Sequence, residues 1–178
     1  WEPLLNLSEK FRPQDWDEVI GQDAVIQSLQ EILARKEMPP ALLFIGQSGI
    51  GKNTVAQIFA RHYLGEGWRN YFHEFNASDT RKIDDIRNTI KPMSRIIAKQ
   101  IINLTEADGL TPESQQALRR IMEQTQNTVF ILDVNNESKI IDPIKSRCAE
   151  YRFRPLSEEN VIRHLISICE KEGVTVTF

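Results

Sequence analysis

The stretch Ala41 to Phe59, ALLFIGQSGIGKNTVAQIF, constrains the fold more than any other part of the chain. An apolar run, a glycine-rich turn and an amphipathic run follow one another without a gap, the pattern of a buried strand, a tight loop and a helix. Gly46, Gly49 and Gly51 let backbone N–H groups turn inward around an anion, and Lys52 adds a positive charge where the helix begins. The phosphate-cradling spacing GxxxxGK is met at Gly46, Gly51 and Lys52, with Ile50 and Thr54 on either side. The next position, however, holds Asn53 in place of a serine or threonine. A glycine turn that merely precedes a lysine is the bland alternative, and the flanking strand and helix argue against it.

Four more apolar runs predict strands at Tyr71 to Asn76, Gln100 to Leu104, Val129 to Leu132 and Ala149 to Phe153. Between them lie helix-period stretches. Asp23 to Lys36 and Asn53 to Leu64 are amphipathic, a third helix starts at Pro112 behind the N-cap Thr111 and ends near Gln124, and a fourth runs from the Ser157 cap to Gly173. Strands alternating with helices imply an α/β fold, a parallel five-stranded sheet covered on both faces. A domain boundary is expected around Arg154, Pro155 and Leu156.

At 178 residues, 40% hydrophobic and 26% charged, the composition is that of a soluble globular protein with one main domain. No apolar run is long enough to cross a bilayer and the first residues lack a signal-peptide pattern, so an intracellular protein without a membrane partner is expected. A start without methionine suggests a processed product or an excerpt. Cys148 and Cys169 lack a metal-ligand spacing and read as buried thiols. The net charge of −3 argues against coating nucleic acid by bulk electrostatics, although a local basic stripe remains compatible with it.

Magnesium chemistry normally needs a hydroxyl after the loop lysine and a carboxylate at the end of a neighbouring strand. Asn53 replaces the first. After QIINL the chain reads Thr105, Glu106, Ala107, Asp108, where an Asp-Glu pair is expected, so Glu106 is placed to polarise water while Thr105 removes the metal-holding charge. Thr54 is rotated off the site by about 100° along the helix. A charge at about 4 Å is worth about 4 kcal/mol at an effective dielectric of 20, so hydrolysis should suffer more than binding. If the fourth strand runs on to Asn135, Asp133 shares its face and becomes a candidate to replace some of the lost carboxylate charge. The plain alternative for Glu106 and Asp108 is a solvated acidic turn.

The blocks EKFRP, GQSGIGKNT, FNASD, TEADGLTPESQQALRRIME, VNNESKIIDPIKSRC and YRFRPLSEENVIRHL together resemble the small subunit of replication factor C, the archaeal and eukaryotic clamp loader of the AAA+ ATPases. The resemblance covers nearly the whole chain in order. It implies a P-loop AAA+ domain over residues 1–154 and the start of a helical lid over residues 155–178, with ATP or ADP and magnesium as ligands. The implied partners are other clamp-loader subunits, a sliding clamp and primer-template DNA. The cysteine-rich zinc insertion of the bacterial counterparts is missing.

Matching positions take the family's roles as expectations. Arg147 looks like the arginine finger offered to a neighbouring subunit, and Asn135 like the sensor that orients the attacking water. Phe11, Arg12, Pro13, Ile20 and Gly21 match the adenine-wrapping segment. Arg81 and Arg87 match positions that track DNA, Lys91 extends that stripe by a turn until Pro92 interrupts it, and Arg119 and Arg120 match a helix that contacts subunits and DNA. Asn53, Thr105, Asn103 and Asp133 depart from the pattern. A subunit with impaired hydrolysis is the leading expectation, beside a fully competent ATPase and a nucleotide-free interaction module. A small-molecule kinase would need an acceptor lid that the sequence does not offer.

Overall fold

Burial on both faces of the apolar runs is realised in a parallel sheet sandwiched by helices. A computed structural model of the chain describes residues 7–35, 37–79, 84, 86–175 and 177. The strands are β1 (Ala41–Ile45), β2 (Phe72–Asn76), β3 (Gln100–Thr105), β4 (Thr128–Val134) and β5 (Cys148–Arg152). All pair in parallel, in the spatial order β2-β3-β4-β1-β5.

The helices are α1 (Leu7–Lys10), α2 (Asp23–Ala34), α3 (Lys52–Leu64), α4 (Lys91–Ser94), α5 (Pro112–Gln124), α6 (Asp142–Lys145) and α7 (Glu158–Lys171). A π-helical turn, Ile86–Ile90, leads into α4. None of the helices among the described residues is long and apolar enough to cross a membrane.

Side chains alternate across each strand, so every strand divides its residues between two cores. On one side Leu43, Ile102, Leu104, Phe130 and Leu132 meet Leu118, Ile121 and Met122 of α5. On the other, Leu42, Phe44, Ile101, Val129 and Ile131 meet Val25 and Leu29 of α2 and Val55 and Phe59 of α3. Asn103 and Thr105 on β3 and Asp133 on β4 have the second parity, which aims them at the side where α3 begins.

Element ends differ from expectation where pairing overrides the apolar pattern. β4 extends to Val134 because Asp133 and Val134 pair with Phe44 and Ile45, although the carboxylate ends the apolar run. β3 gains Thr105, β2 starts at Phe72, and β5 is set one residue earlier than expected. α2 stops at Ala34, short of Lys36. The caps Thr111 and Ser157 accept hydrogen bonds from Ser114 N (3.1 Å) and Asn160 N (3.2 Å), as capping residues do.

Gln22 joins the body to the residues that lead into α7. Its side-chain amide donates to Arg154 O at 2.7 Å and its carbonyl accepts from Arg154 N at 3.0 Å, and the residue is 3% exposed. At the far end of α7, Lys10 pairs with Glu172. The helix is thus pinned near both ends.

Candidate functional site

A cleft of about 700 Å³ opens at the carboxyl ends of β1, β3 and β4, where parallel sheets present backbone amides and loop side chains to ligands. Ser48, Gly49, Gly51, Lys52, Asn53 and Thr54 form its floor. Thr105, Glu106, Asp133 and Asn135 form one wall, and Phe11, Arg12 and Pro13 with His164, Leu165 and Ile168 of α7 form the other.

The floor is shaped by glycine. Gly49 and Gly51 take φ of +82° and +97°, the left-handed region that L side chains disfavour, so the loop curls and the first N–H groups of α3 face a concave space. Gly51 caps α3 without a side-chain acceptor, which leaves the amides of the first turn and the positive end of a 13-residue helix to an outside anion. Gly46 and Ile50 support the loop from behind without bordering the cleft. A Cβ on Gly46 would lie 2.5 Å from Ile50 Cδ1 and 3.0 Å from Phe153 Cβ.

Lys52 is 4% exposed and fully engaged. Its ammonium donates to Gly46 O, to Val134 O at 3.1 Å and to Asn135 Oδ1 at 3.0 Å, and pairs with Asp133 Oδ1 at 2.7 Å. Asp133 and Asn135 therefore do converge on one point, and that point is the loop lysine. Burial pushes the Asp133 carboxyl above the usual carboxylate range against the pull of Lys52, and Asp108 and Glu106 push it further. Desolvation outweighs the ion pair here.

The two positions expected to hold magnesium are occupied by contacts within the protein. Asn53 Oδ1 accepts a hydrogen bond from Asn103 Nδ2 at 3.0 Å, and the Thr105 hydroxyl donates to Phe75 O at 3.3 Å. Asn103 is 1% exposed and its own Oδ1 has no hydrogen-bond partner among the described residues. Its signal in the sequence was an amide inside an apolar run, but only the fold shows that it reaches Asn53. Among the described residues no group of three or more His, Cys, Asp or Glu side chains could hold a metal ion. Glu106 sits at φ 54°, a left-handed conformation rare for a non-glycine residue, and Asp108 Oδ2 accepts from Asn136 N at 3.1 Å.

Other expected positions lie apart. Ile20 borders an adjacent groove with Phe11, Arg12 and His164. Gly21 lies against Leu156, whose Cδ2 would be 2.6 Å from an added Cβ. Arg147 does not border the cleft. Its guanidinium holds Glu123 Oε1 at 2.5 Å, and Arg119 holds the same oxygen at 2.6 Å. Arg120 and Arg87 are exposed and Lys91 is half-buried, while Arg81 lies outside the described residues. The α7 residues His164 and Ile168 were not expected at the site. Leu165 was read only as part of an apolar stripe, and it is 54% exposed.

A parallel sheet in this order, with a glycine-rich loop between β1 and α3 and a cleft over its end, is the α/β P-loop fold of AAA+ proteins. A family model described as "ATPase family associated with various cellular activities (AAA)" matches residues 42–156, and the chain belongs to that family. It is similar to the replication factor C small subunits of Archaeoglobus fulgidus (49% identical over 175 residues) and Methanoculleus marisnigri (48% over 175 residues). Each alignment takes in 95% of this chain and 54% of the relative, so the chain spans about half the length of the curated relatives it matches. Among solved structures, the RuvB Holliday junction branch migration motor of Thermotoga maritima superposes with a TM-score of 0.76 at 18% identity. That superposition covers 94% of this chain and 56% of the other, a likeness of fold alone.

Proposed function

We propose that this chain is the nucleotide-binding part of a clamp-loader small subunit, which binds ATP or ADP in an AAA+ ring that places a sliding clamp on primer-template DNA. Its own hydrolysis is slow or absent, while Arg147 serves the neighbouring subunit's nucleotide. The observation that carries the reading is the cradle of Gly49, Gly51 and the uncapped start of α3, in a chain nearly half identical to archaeal replication factor C small subunits.

The cradle fits phosphate: inward amides and a helix N-terminus supply donors and positive potential without any side-chain acceptor in the turn. Phe11, Pro13, Leu165 and Ile168 offer apolar surface for a base on the opposite wall. The metal position fits poorly. Asn53 is tied to Asn103, Thr105 to Phe75, and neither carries charge, so a hard dication would meet only neutral oxygens at these two positions. Glu106 borders the cleft and can orient water, but its action on a phosphate requires the charge neutralisation that this wall lacks.

Arg147 depends on assembly. Held by Glu123 and outside the lining of its own chain's cleft, it is left to a nucleotide bound by another subunit, a role that the resemblance to replication factor C small subunits supports.

Calorimetric titration with ADP and ATP, with magnesium and with EDTA, tests the reading alongside steady-state hydrolysis. Binding is expected in both conditions, with affinity changing by less than about threefold on chelation. Turnover is expected to stay at least about tenfold below that of the Asn53→Thr, Thr105→Asp double variant. Brisk magnesium-dependent turnover by the unaltered chain defeats the impaired-hydrolysis part. Failure of both nucleotides to bind defeats the whole reading.

A further inference from the structure

The Lys52 ammonium has three N–H groups and four acceptors around it: Gly46 O, Val134 O, Asn135 Oδ1 and Asp133 Oδ1. Its donor capacity is used up inside the protein. The strongest of these partners is a carboxylate at 2.7 Å, with 16% of its side chain exposed, in an ion pair whose lysine end is 4% exposed. Glu106 borders the cleft on the same wall as Asp133, so that wall carries two carboxylates. In formal charge this wall of the cleft is negative.

The floor is different. The amides around Gly49 and Gly51 and the first turn of α3 have no carboxylate among them, and Gly51 offers no capping side chain. The site therefore divides into a donor-rich cradle and an acidic end where Lys52 is already paired. A ligand with two phosphates can be served by the cradle. A third phosphate adds negative charge and needs the lysine, which means separating Lys52 from Asp133 and leaving a largely buried carboxylate beside Glu106 and an incoming anion.

Resting on the nucleotide-binding reading above, we propose that Asp133 sets the phosphate number of the ligand: by holding Lys52, it makes this cleft select a nucleoside diphosphate over the corresponding triphosphate. Asp133 is then a specificity-determining residue. It acts by occupying the cation that a terminal phosphate would otherwise take.

The test is calorimetric titration of the unaltered chain, Asp133→Asn and Asp133→Ser with ADP and with ATP, in EDTA so that the free anions are compared. ADP is expected to bind the unaltered chain at least about tenfold more tightly than ATP. Both variants are expected to gain about tenfold or more in ATP affinity, with ADP affinity moving less than about threefold, so that the preference collapses. A purely structural role for Asp133 would move both affinities together and leave the ratio alone. ATP binding as tight as ADP in the unaltered chain overturns the proposal, as does an unchanged ratio in folded variants. If circular dichroism shows that the variants do not fold, the ratio in the unaltered chain still decides. Failure of both nucleotides to bind would overturn the nucleotide reading itself, a result distinct from equal binding of the two.

Discussion

Asn103 is the residue whose cost is easiest to isolate. It stands in the middle of β3 between two buried apolar neighbours, is 1% exposed, and satisfies one amide group on Asn53 while Oδ1 finds no hydrogen-bond partner among the described residues. An unsatisfied buried acceptor costs about 1–3 kcal/mol, and the hydrogen bond to a half-buried partner recovers only about 1 kcal/mol. Asn103→Leu keeps the branched shape and removes the orphan, so it is expected to raise stability by about 1 kcal/mol, read as a higher urea midpoint at unchanged slope. A fall in the midpoint would show that the amide pair stabilises more than its geometry implies. The pair lies beside the glycine-rich loop, where Asn53 stands in place of the usual hydroxyl.

Between elements, the contact that matters most is the Gln22 side chain on the Arg154 backbone. A single amide satisfies both the N–H and the C=O of Arg154, and it does so across the junction between β5 and α7. Gln22→Ala leaves both groups without that partner and is expected to cost about 1.5–3 kcal/mol. Limited proteolysis should then show faster cleavage near residues 154–157 than in the unaltered chain, with the sheet protected; equal cleavage rates would mean that α7 is held by other contacts. Because His164, Leu165 and Ile168 of α7 form one wall of the cleft, loosening this junction is also expected to weaken nucleotide binding. The ion cluster of Arg147, Glu123 and Arg119 is different. It is solvent-accessible, so its contribution to stability is small, and its effect is to set where Arg147 points.

At the scale of the molecule, Cys148 reports on opening of the sheet edge. It lies on β5, opposite Ala41 of β1. Burial, with Glu150 adding to it, pushes its thiol up from 9.0 to about 12, which lowers the reactive thiolate fraction about a thousandfold at neutral pH. Because the shift raises the pKa, the fold favours the protonated thiol, and this protection lasts until pH rises through the folded value. Alkylation of Cys148 near pH 8 is expected to run at least about a hundredfold slower in the folded chain than in urea, measured by mass spectrometry of the Cys148 peptide. A near-equal rate would mean that β5 detaches readily from β1.

The succession along the chain of the five strands and the four longest helices, the glycine loop and the unusual residues Asn53 and Thr105 could be read from the sequence, because each rests on local spacing: an apolar run, a run with helical period, or a residue at a fixed offset from Lys52 or from the end of an apolar run. Strand ends were less legible, since Asp133 interrupts the apolar pattern while β1 goes on pairing past it. The partners of the unusual residues were not legible at all. Asn53 and Asn103 are fifty positions apart in the chain and Lys52 and Asp133 eighty-one, and only the parallel stacking of β1, β3 and β4 brings their ends together over the start of α3. The sequence by itself determined that a glycine-rich loop would join β1 to α3 and that Asn53 and Thr105 would stand where a hydroxyl and a carboxylate are usual. The tertiary structure decided that the cradle's lysine would already have a carboxylate for a partner, because side-chain contacts across a sheet depend on strand order and register, which no local pattern encodes.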